Sequence, residues 1–389
     1  MNRKQRRAQG QEQRKTGHTA PAPPDPVALH EAGIEAYRAG RLAAAADLIG
    51  QAIAASGPVP EFHYNLGIVL KAMGRLEDAA ASYERAIALK PDHVNAHNNL
   101  GNLCKALGQP DKARASFAHA LTYNPDNADT HYSLGVLCGE QGERDEAGQH
   151  FRRCLASDPH DSRGAGILLA HLGIGDAPER TPEAQVLSLY DVRSRFWDQE
   201  ASYFAPGLVA DGLRRHAPHA RLDILDIGCG TGLVGTAVRD LAGRLDGVDL
   251  SPAMLEKAKA KAVYDALFQA DLAPFMAGRT GSYDAVLAAA SLIHFGDLKG
   301  LFQAVALCLR AQGLFVFTLF PDETDTGTNY AVAASTRLAQ SGCFRHSTPY
   351  LRQLAAKTGF VVLELEKTIH EHDQAGSPVA GLIAVLRKN

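Results

Sequence analysis

The stretch Ile224-Leu225-Asp226-Ile227-Gly228-Cys229-Gly230-Thr231-Gly232 narrows what this chain can fold into more than any other. An apolar run ends in an acid, glycines then alternate with small residues, and an amphipathic segment follows from Leu233 to Leu241. That order is a buried strand turning sharply into a helix. The glycines permit the tight turn and leave the backbone bare where a ligand must come close. Twenty-three residues after Asp226, the run from Arg244 ends in a second acid, Asp249. An acid at the end of the second strand of such a unit is placed to accept hydrogen bonds from ribose hydroxyls. An adenosine-type cofactor is therefore expected.

The dinucleotide fingerprint requires a third glycine at position 233, where this chain has Leu233. The spacing instead resembles motif I of the class I S-adenosylmethionine-dependent methyltransferases, and the likeness continues over about 200 residues in that family's order. Gly247 to Leu255 resembles the second strand and the start of its helix, with Ser251 as N-cap and Pro252 at the first helical position. Gln269 to Leu272 resembles the end of the third strand, Ser282 to Ala290 the fourth and Gly313 to Thr318 the fifth. Phe360–Leu365 and Gly381–Leu386 are similar to the closing hairpin. The resemblance implies a Rossmann-like seven-stranded sheet and S-adenosyl-L-methionine as cofactor. It implies that Gly228, Gly230 and Gly232 admit the methionine part, with Asp226 orienting their loop. Asp249 takes the ribose and Asp271 the adenine amino group, and Leu250 and Leu272 flank the adenine. Tyr190 and Phe196 stand where this fold builds a lid over the cofactor, and Tyr190 is counted among the cofactor-binding residues.

The first half of the chain repeats with a period of 34. Leu66-Gly67 returns as Leu100-Gly101 and Leu134-Gly135, Ala79 as Ala113 and Ala147, and Tyr83 as Phe117 and Phe151. Pro91, Pro125 and Pro159 close the units. A weaker first unit carries Gly33, Gly40, Ala45 and Ala52 in phase. This resembles the tetratricopeptide repeat, four units over residues 26–161, in which small residues let paired helices approach and large rings fill the space between units. Such an array implies a groove for an extended peptide or protein partner, with Asn65, Asn99 and Ser133 at one repeat position on it. Together the halves predict an α plus α/β chain. Residues 1–25 form a disordered basic and Pro-rich tail, 26–161 the repeats, 162–184 a capping helix and linker, and 185–389 the methyltransferase domain. Repeats first and catalytic domain second resembles a bacterial group of predicted methyltransferases that carry tetratricopeptide repeats.

At a net charge of −3 nothing global points to nucleic acid, and neither a signal-peptide core nor a membrane-length apolar run is present. Six cysteines without Cys-x-x-Cys spacing argue for reduced thiols, no metal site and a cytoplasmic location. The fourth strand lacks an Asn-Pro-Pro-Tyr or Asp-Pro-Pro-Tyr box and a Pro-Cys nucleophile, which disfavours adenine, glutamine and cytosine carbon-5 methylation. Small-molecule and protein acceptors both stay open. His294, just past the fourth strand, is the expected general base, and His346 a second group able to contact substrate. Because every cofactor motif follows residue 222, residues 185–389 are expected to fold and bind cofactor alone. The other class of function is an interaction scaffold whose methyltransferase fold has lost catalysis.

Overall fold

A computed structural model describes residues 25–194, 197–199, 203–217, 221–323, 329–373 and 375–389. The basic tail, nearly all of the Pro-rich spacer, and Phe196 lie outside the described residues. The chain divides into two compact units between Pro125 and Asp126.

The first unit holds three antiparallel helix pairs: α1 (Pro26–Arg38) with α2 (Leu42–Ser56), α3 (Pro60–Ala72) with α4 (Leu76–Leu89), and α5 (Val94–Ala106) with α6 (Pro110–Tyr123). The periodic glycines are explained by what they touch. A Cβ on Gly67 would lie 2.6 Å from the Tyr83 ring, and one on Gly101 2.5 Å from the Phe117 ring. Each large ring is thus seated on the bare backbone of the glycine in its own pair. Gly40, Gly74 and Gly108 occupy the hairpin turns with φ of 74, 76 and 69°, the left-handed geometry that ends a helix. Asn65 Nδ2 donates to His30 Nε2 at 2.9 Å and Asn99 Nδ2 to the Tyr64 hydroxyl at 3.2 Å. These amides tie neighbouring first helices together.

The second unit begins with a fourth pair, α7 (Ala128–Glu140) and α8 (Arg144–Ser157), followed by α9 (Ala165–His171). Gly135 again receives an aromatic ring, that of Phe151, at 2.5 Å from its would-be Cβ. Then come α10 (Glu183–Arg193), a 3-10 turn Trp197–Gln199, α11 (Ala205–His216), β1 (Leu222–Ile227), α12 (Leu233–Val238), β2 (Ala242–Asp249), α13 (Pro252–Lys261), β3 (Ala266–Gln269), α14 (Leu272–Ala277) and β4 (Tyr283–Ala288). After a 3-10 turn at Leu292–His294 the chain continues through α15 (Lys299–Cys308), β5 (Leu309–Pro321), β6 (Tyr330–Val332), α16 (Thr336–Gln340), β7 (Phe344–His346), α17 (Thr348–Lys357), β8 (Phe360–His372) and β9 (Pro378–Lys388).

Strands β3-β2-β1-β4-β5 are parallel and adjacent in that order; β9 pairs antiparallel with β5 and carries β8. Two further strands enlarge the expected seven. β7 runs parallel to the end of β5, and β6 pairs antiparallel with β7. The segment holding Arg345-His346-Ser347 is this addition, with Ser347 capping α17. One sheet face buries Phe302, Phe315, Phe317 and Phe360; the other buries Val209, Leu213, Ile224, Val234, Leu245 and Val385. The strand order reverses at β1, so a crevice opens beyond the carboxyl ends of β1 and β4.

The fourth helix pair does not end where the sheet domain begins. Val136, Phe151, Ile167 and Leu168 share one buried cluster with Val332, Ala339 and Phe344. His171 Nδ1 donates to the Ala333 carbonyl at 3.2 Å, and Gln185 Nε2 to that of Gln340 at 3.1 Å. The boundary read at residue 185 is therefore not where the packing divides. The inserted β6–β7 region lends an apolar face that these helices cover, and sequence periodicity carries no sign of it. No described helix is long and apolar enough to cross a membrane.

Candidate active site

The glycine turn builds the floor of an open pocket whose space, solvent at its mouth included, is about 900 Å³. Gly228, Gly230 and Gly232 have φ of 66, 54 and 91°, which a side chain adopts only at a cost of about 1–2 kcal/mol. A Cβ on Gly228 would meet Ser291 Cβ at 2.3 Å, because the ends of β1 and β4 meet there. Gly230 has nothing within 4 Å of that position, so its backbone faces open space on the cavity wall. The loop is held by the Val248 carbonyl, which accepts from the Gly228 and Cys229 amides at 2.8 and 3.1 Å.

Asp249 stands on the same wall. Its Oδ2 accepts from the Gly230 amide and its Oδ1 from the Ser251 amide, both at 2.8 Å. One bond at each oxygen leaves lone pairs to receive two hydroxyls. Burial holds its carboxyl above the usual range, against the pull of those amides. Leu250, Leu272 and Met254 supply an apolar rim beside it.

Asp226 is placed differently from Asp249. It is fully buried and is not on the cavity wall. Its Oδ2 accepts from the Tyr264 hydroxyl at 2.7 Å, and its Oδ1 has no partner. Burial pushes its carboxyl up to about 7, aided by the charge of Asp249, while the Tyr264 bond opposes the rise. The bonds that orient the glycine loop come from Val248 and Asp249, with Asp226 beneath them.

Asp271 reaches the wall, and its Oδ2 accepts from Arg180 Nη1 at 2.9 Å. Arg180 belongs to the segment ahead of α10, which lies along the turn after β4. The Thr181 amide donates to the His294 carbonyl at 2.8 Å and the Gly296 amide to Glu179 at 2.7 Å. Arg180 also lies over the Phe295 ring, 5.6 Å from its centroid.

His294 and Tyr190 meet on the wall. His294 Nδ1 is 3.2 Å from the Gly342 carbonyl, which can only accept, so the imidazole proton sits on Nδ1. Nε2 is left as acceptor, and the Tyr190 hydroxyl donates to it at 2.7 Å. Burial lowers His294 to about 4, with Arg193 adding to the effect and the Gly342 bond opposing it. Burial likewise raises the Tyr190 phenol well above its ordinary value. Trp197 and Tyr203 extend an aromatic wall from Tyr190, with ring centroids 5.7 and 5.3 Å apart along the series. Ala290, on the same rim, takes φ of 56°, and its amide donates to the buried Thr318 hydroxyl at 3.0 Å. The neighbouring Asp198 accepts from Thr231 Oγ1 and Lys261 Nζ, each at 2.5 Å, pinning the Trp197–Gln199 turn to the glycine loop.

The turn and acids thus bring together Gly228, Gly230, Asp249, Leu250, Asp271, Leu272, Tyr190 and His294 around one cavity. Gly232 stands just behind as the N-cap of α12. His346 is not on that wall: it is fully buried in β7, lowered to about 4 by burial, with Nε2 3.0 Å from the Gly296 carbonyl. Arg180, Trp197, Tyr203 and the Asp198–Lys261 pair escaped the sequence reading. Arg180 lies 91 positions from Asp271 with no motif joining them. Trp197, the single tryptophan, was the one compositional hint.

Within this unit, residues 225–317 match the family model described as a methyltransferase domain. Residues 69–108 and 106–172 match tetratricopeptide-repeat models. The chain is similar to human methyltransferase-like protein 27, 39% identical over 117 residues, covering 28% of this chain and 47% of that protein. It is also similar to a ubiquinone biosynthesis O-methyltransferase of Xanthomonas oryzae pv. oryzae, 30% identical over 137 residues, covering 32% of this chain and 56% of the relative. The chain thus spans about half the length of the curated relatives it matches. Among solved structures it resembles the Burkholderia thailandensis 1,6-didemethyltoxoflavin-N1-methyltransferase, at 19% identity and a TM-score of 0.44, covering 55% of this chain and 93% of that one.

Proposed function

We propose that this chain is an active methyltransferase that binds S-adenosyl-L-methionine in the pocket above the glycine turn and methylates an acceptor lodged against Tyr190, His294 and the Trp197–Tyr203 wall. The observation that carries this reading is the pairing of a backbone-bonded Asp249 carboxylate with the bare Gly230 backbone on one wall. When bound, the cofactor supplies a methyl group on a positively charged sulfur. What the protein does is position, orient and exclude water. Asp249 receives the ribose hydroxyls, Asp271 the adenine amino group, and Leu250 and Leu272 the ring faces. Gly228, Gly230 and Gly232 leave room for the amino-acid end, and Asp226 supports the loop from below.

His294 is the proposed catalytic group, acting through Tyr190. With Nδ1 fixed as donor, the Tyr190 oxygen can accept the acceptor's hydroxyl proton while its own proton passes to Nε2. A histidine lowered to about 4 is a weak base, so the reading favours an acceptor that is acidic itself or loses its proton with the methyl transfer. Acceptor identity, small molecule or protein, is left open. The repeats are proposed to recruit substrate or a peptide partner. The reading includes a cytoplasmic location, supported by six buried cysteines, none of them in a disulfide.

Calorimetry with S-adenosylhomocysteine on the full chain tests the assignment. Binding is expected for the parent, with a loss of about 2–4 kcal/mol in Asp249→Ala, whose charge-assisted bonds to two hydroxyls disappear. Affinity within twofold of the parent would remove Asp249 from the site. Absence of binding by the parent favours the scaffold reading.

A further inference from the structure

The fourth helix pair carries a side-chain cluster that the methyltransferase site does not use. Cys138 is on α7, and Glu146 and His150 are four residues apart on one face of α8. One ligand atom of each lies within 4.8 Å of the other two. His150 Nε2 is 3.9 Å from Glu146 Oε1. The opposite ring nitrogen, His150 Nδ1, lies 3.0 Å from Nδ1 of His131, two turns before Cys138 on α7. The hairpin therefore points a thiol, a carboxylate and an imidazole nitrogen at one spot, with a second imidazole behind the first.

We propose that Cys138, Glu146 and His150 Nε2 form a zinc site, with His131 orienting the His150 ring from behind. The donor set selects the ion. Sulfur and imidazole ligands suit zinc, whereas magnesium and calcium require oxygen. Tetrahedral zinc, with bonds of about 2.0–2.3 Å, places ligand atoms roughly 3.3–3.8 Å apart. The cluster, with its ligand atoms already within 4.8 Å of one another, is about 1 Å from that spacing. His131 Nδ1, 3.0 Å from His150 Nδ1, stands where a metal-bound histidine usually has a carboxylate, carbonyl or water, and as acceptor it would fix the His150 proton on Nδ1. On binding, the Cys138 thiol releases its proton to solvent as the sulfur–zinc bond forms; the thiolate and the Glu146 carboxylate balance the two positive charges, and water completes the coordination. The preceding repeat supplies an internal contrast. Thirty-four residues earlier stand Cys104, Lys112 and Ser116, so the repeat pattern accounts for the cysteine but not for the carboxylate and imidazole. Cysteine spacing along the chain could not announce this site, because its members come from two antiparallel helices.

The test uses the full-length chain, stripped by a chelator and titrated with Co²⁺, then with Zn²⁺. One equivalent of Co²⁺ is expected to develop the intense visible bands of a tetrahedral ion and a sulfur-to-metal charge-transfer band, which Zn²⁺ then abolishes. His150→Gln, at a partly exposed position, is expected to weaken binding at least tenfold, since even an outer partner is worth about 10–100-fold. Cys138→Ser should erase the charge-transfer band, and Cys104→Ser should leave it intact. A charge-transfer band that survives in Cys138→Ser, unchanged affinity in His150→Gln, or no spectral change on adding Co²⁺ to the parent each overturns the proposal.

Discussion

At the scale of single residues, two buried acids close in sequence do different work because of where folding leaves them. Asp249 keeps lone pairs toward the cavity, whereas Asp226 is sealed beneath the loop with one oxygen unpartnered. A carboxyl raised to about 7 in the fold, against about 4 unfolded, makes stability rise as pH falls from 7 towards 4. Above pH 7 the group is ionised in both states, and only the folded one carries the burial penalty. Asp226→Asn should remove roughly 2–4 kcal/mol of that slope, measured by chemical unfolding of both proteins between pH 4.5 and 8. Equal slopes would mean Asp226 is ionised at no cost. His294 has the opposite sign. Its folded value lies near 4, below the usual 6.5, so its contribution is present above pH 6.5 and lost as pH falls towards 4. Once an acceptor is known, the pH dependence of kcat/KM should show no His294 inflection between 5 and 8. Tyr190→Phe and His294→Gln should each lower kcat by about 10²–10⁴ while leaving S-adenosylhomocysteine affinity near the parent value. Unchanged turnover in either variant would take the pair out of the mechanism.

At the scale of elements, glycine does two unlike jobs in this chain. In the helix pairs it is helical and its use is steric: Gly101 has the Phe117 ring 2.5 Å from where a Cβ would be. Gly101→Ala must push that fully buried ring aside, and overpacking of this kind costs about 1–3 kcal/mol. The expected reading is a lower thermal midpoint with cofactor binding unaltered. Gly228 adds a conformational demand to the steric one, with φ of 66° and Ser291 Cβ 2.3 Å from its would-be Cβ. Gly228→Ala should therefore abolish S-adenosylhomocysteine binding. Adding Ser291→Gly should restore fold more than affinity, because the left-handed backbone remains strained. Full recovery of affinity in the double variant would show that steric contact alone requires the glycine. Strand β7 makes a related point about motifs: Arg345-His346-Ser347 earns its pattern by pairing with β5 and capping α17, not by touching the cavity.

At the scale of the molecule, the division of labour is set by packing. The unit containing the cavity begins at Asp126, and its fourth helix pair buries Val332, Ala339 and Phe344 of the sheet domain. A fragment starting at residue 185 loses that cover, and with it Arg180 and Thr181 of the cavity wall. Residues 126–389 are therefore expected to be soluble and to bind S-adenosylhomocysteine close to the parent. Residues 185–389 should aggregate or bind at least about tenfold more weakly, as expected when a buried apolar face and a charged partner of Asp271 are both removed. Equal behaviour of the two fragments would show that the fourth pair is an ornament on a self-sufficient domain.

The sequence by itself determined the two architectures and most of the residues that line the cavity. The 34-residue period, the alternating glycines and the acids Asp249 and Asp271 report on local geometry, and local geometry is written in neighbouring residues. It also marked Tyr190 and His294, each from its position relative to a strand. Only the tertiary structure decided that these two share a proton-bearing contact, that Arg180 holds Asp271, and that Asp226 and His346 stay off the wall. It alone joined the last helix pair to β6, α16 and β7. The Arg180–Asp271 and Tyr190–His294 contacts join positions 91 and 104 apart, and such pairings leave no period, spacing or composition along a single chain; they exist only once burial has chosen which surfaces meet.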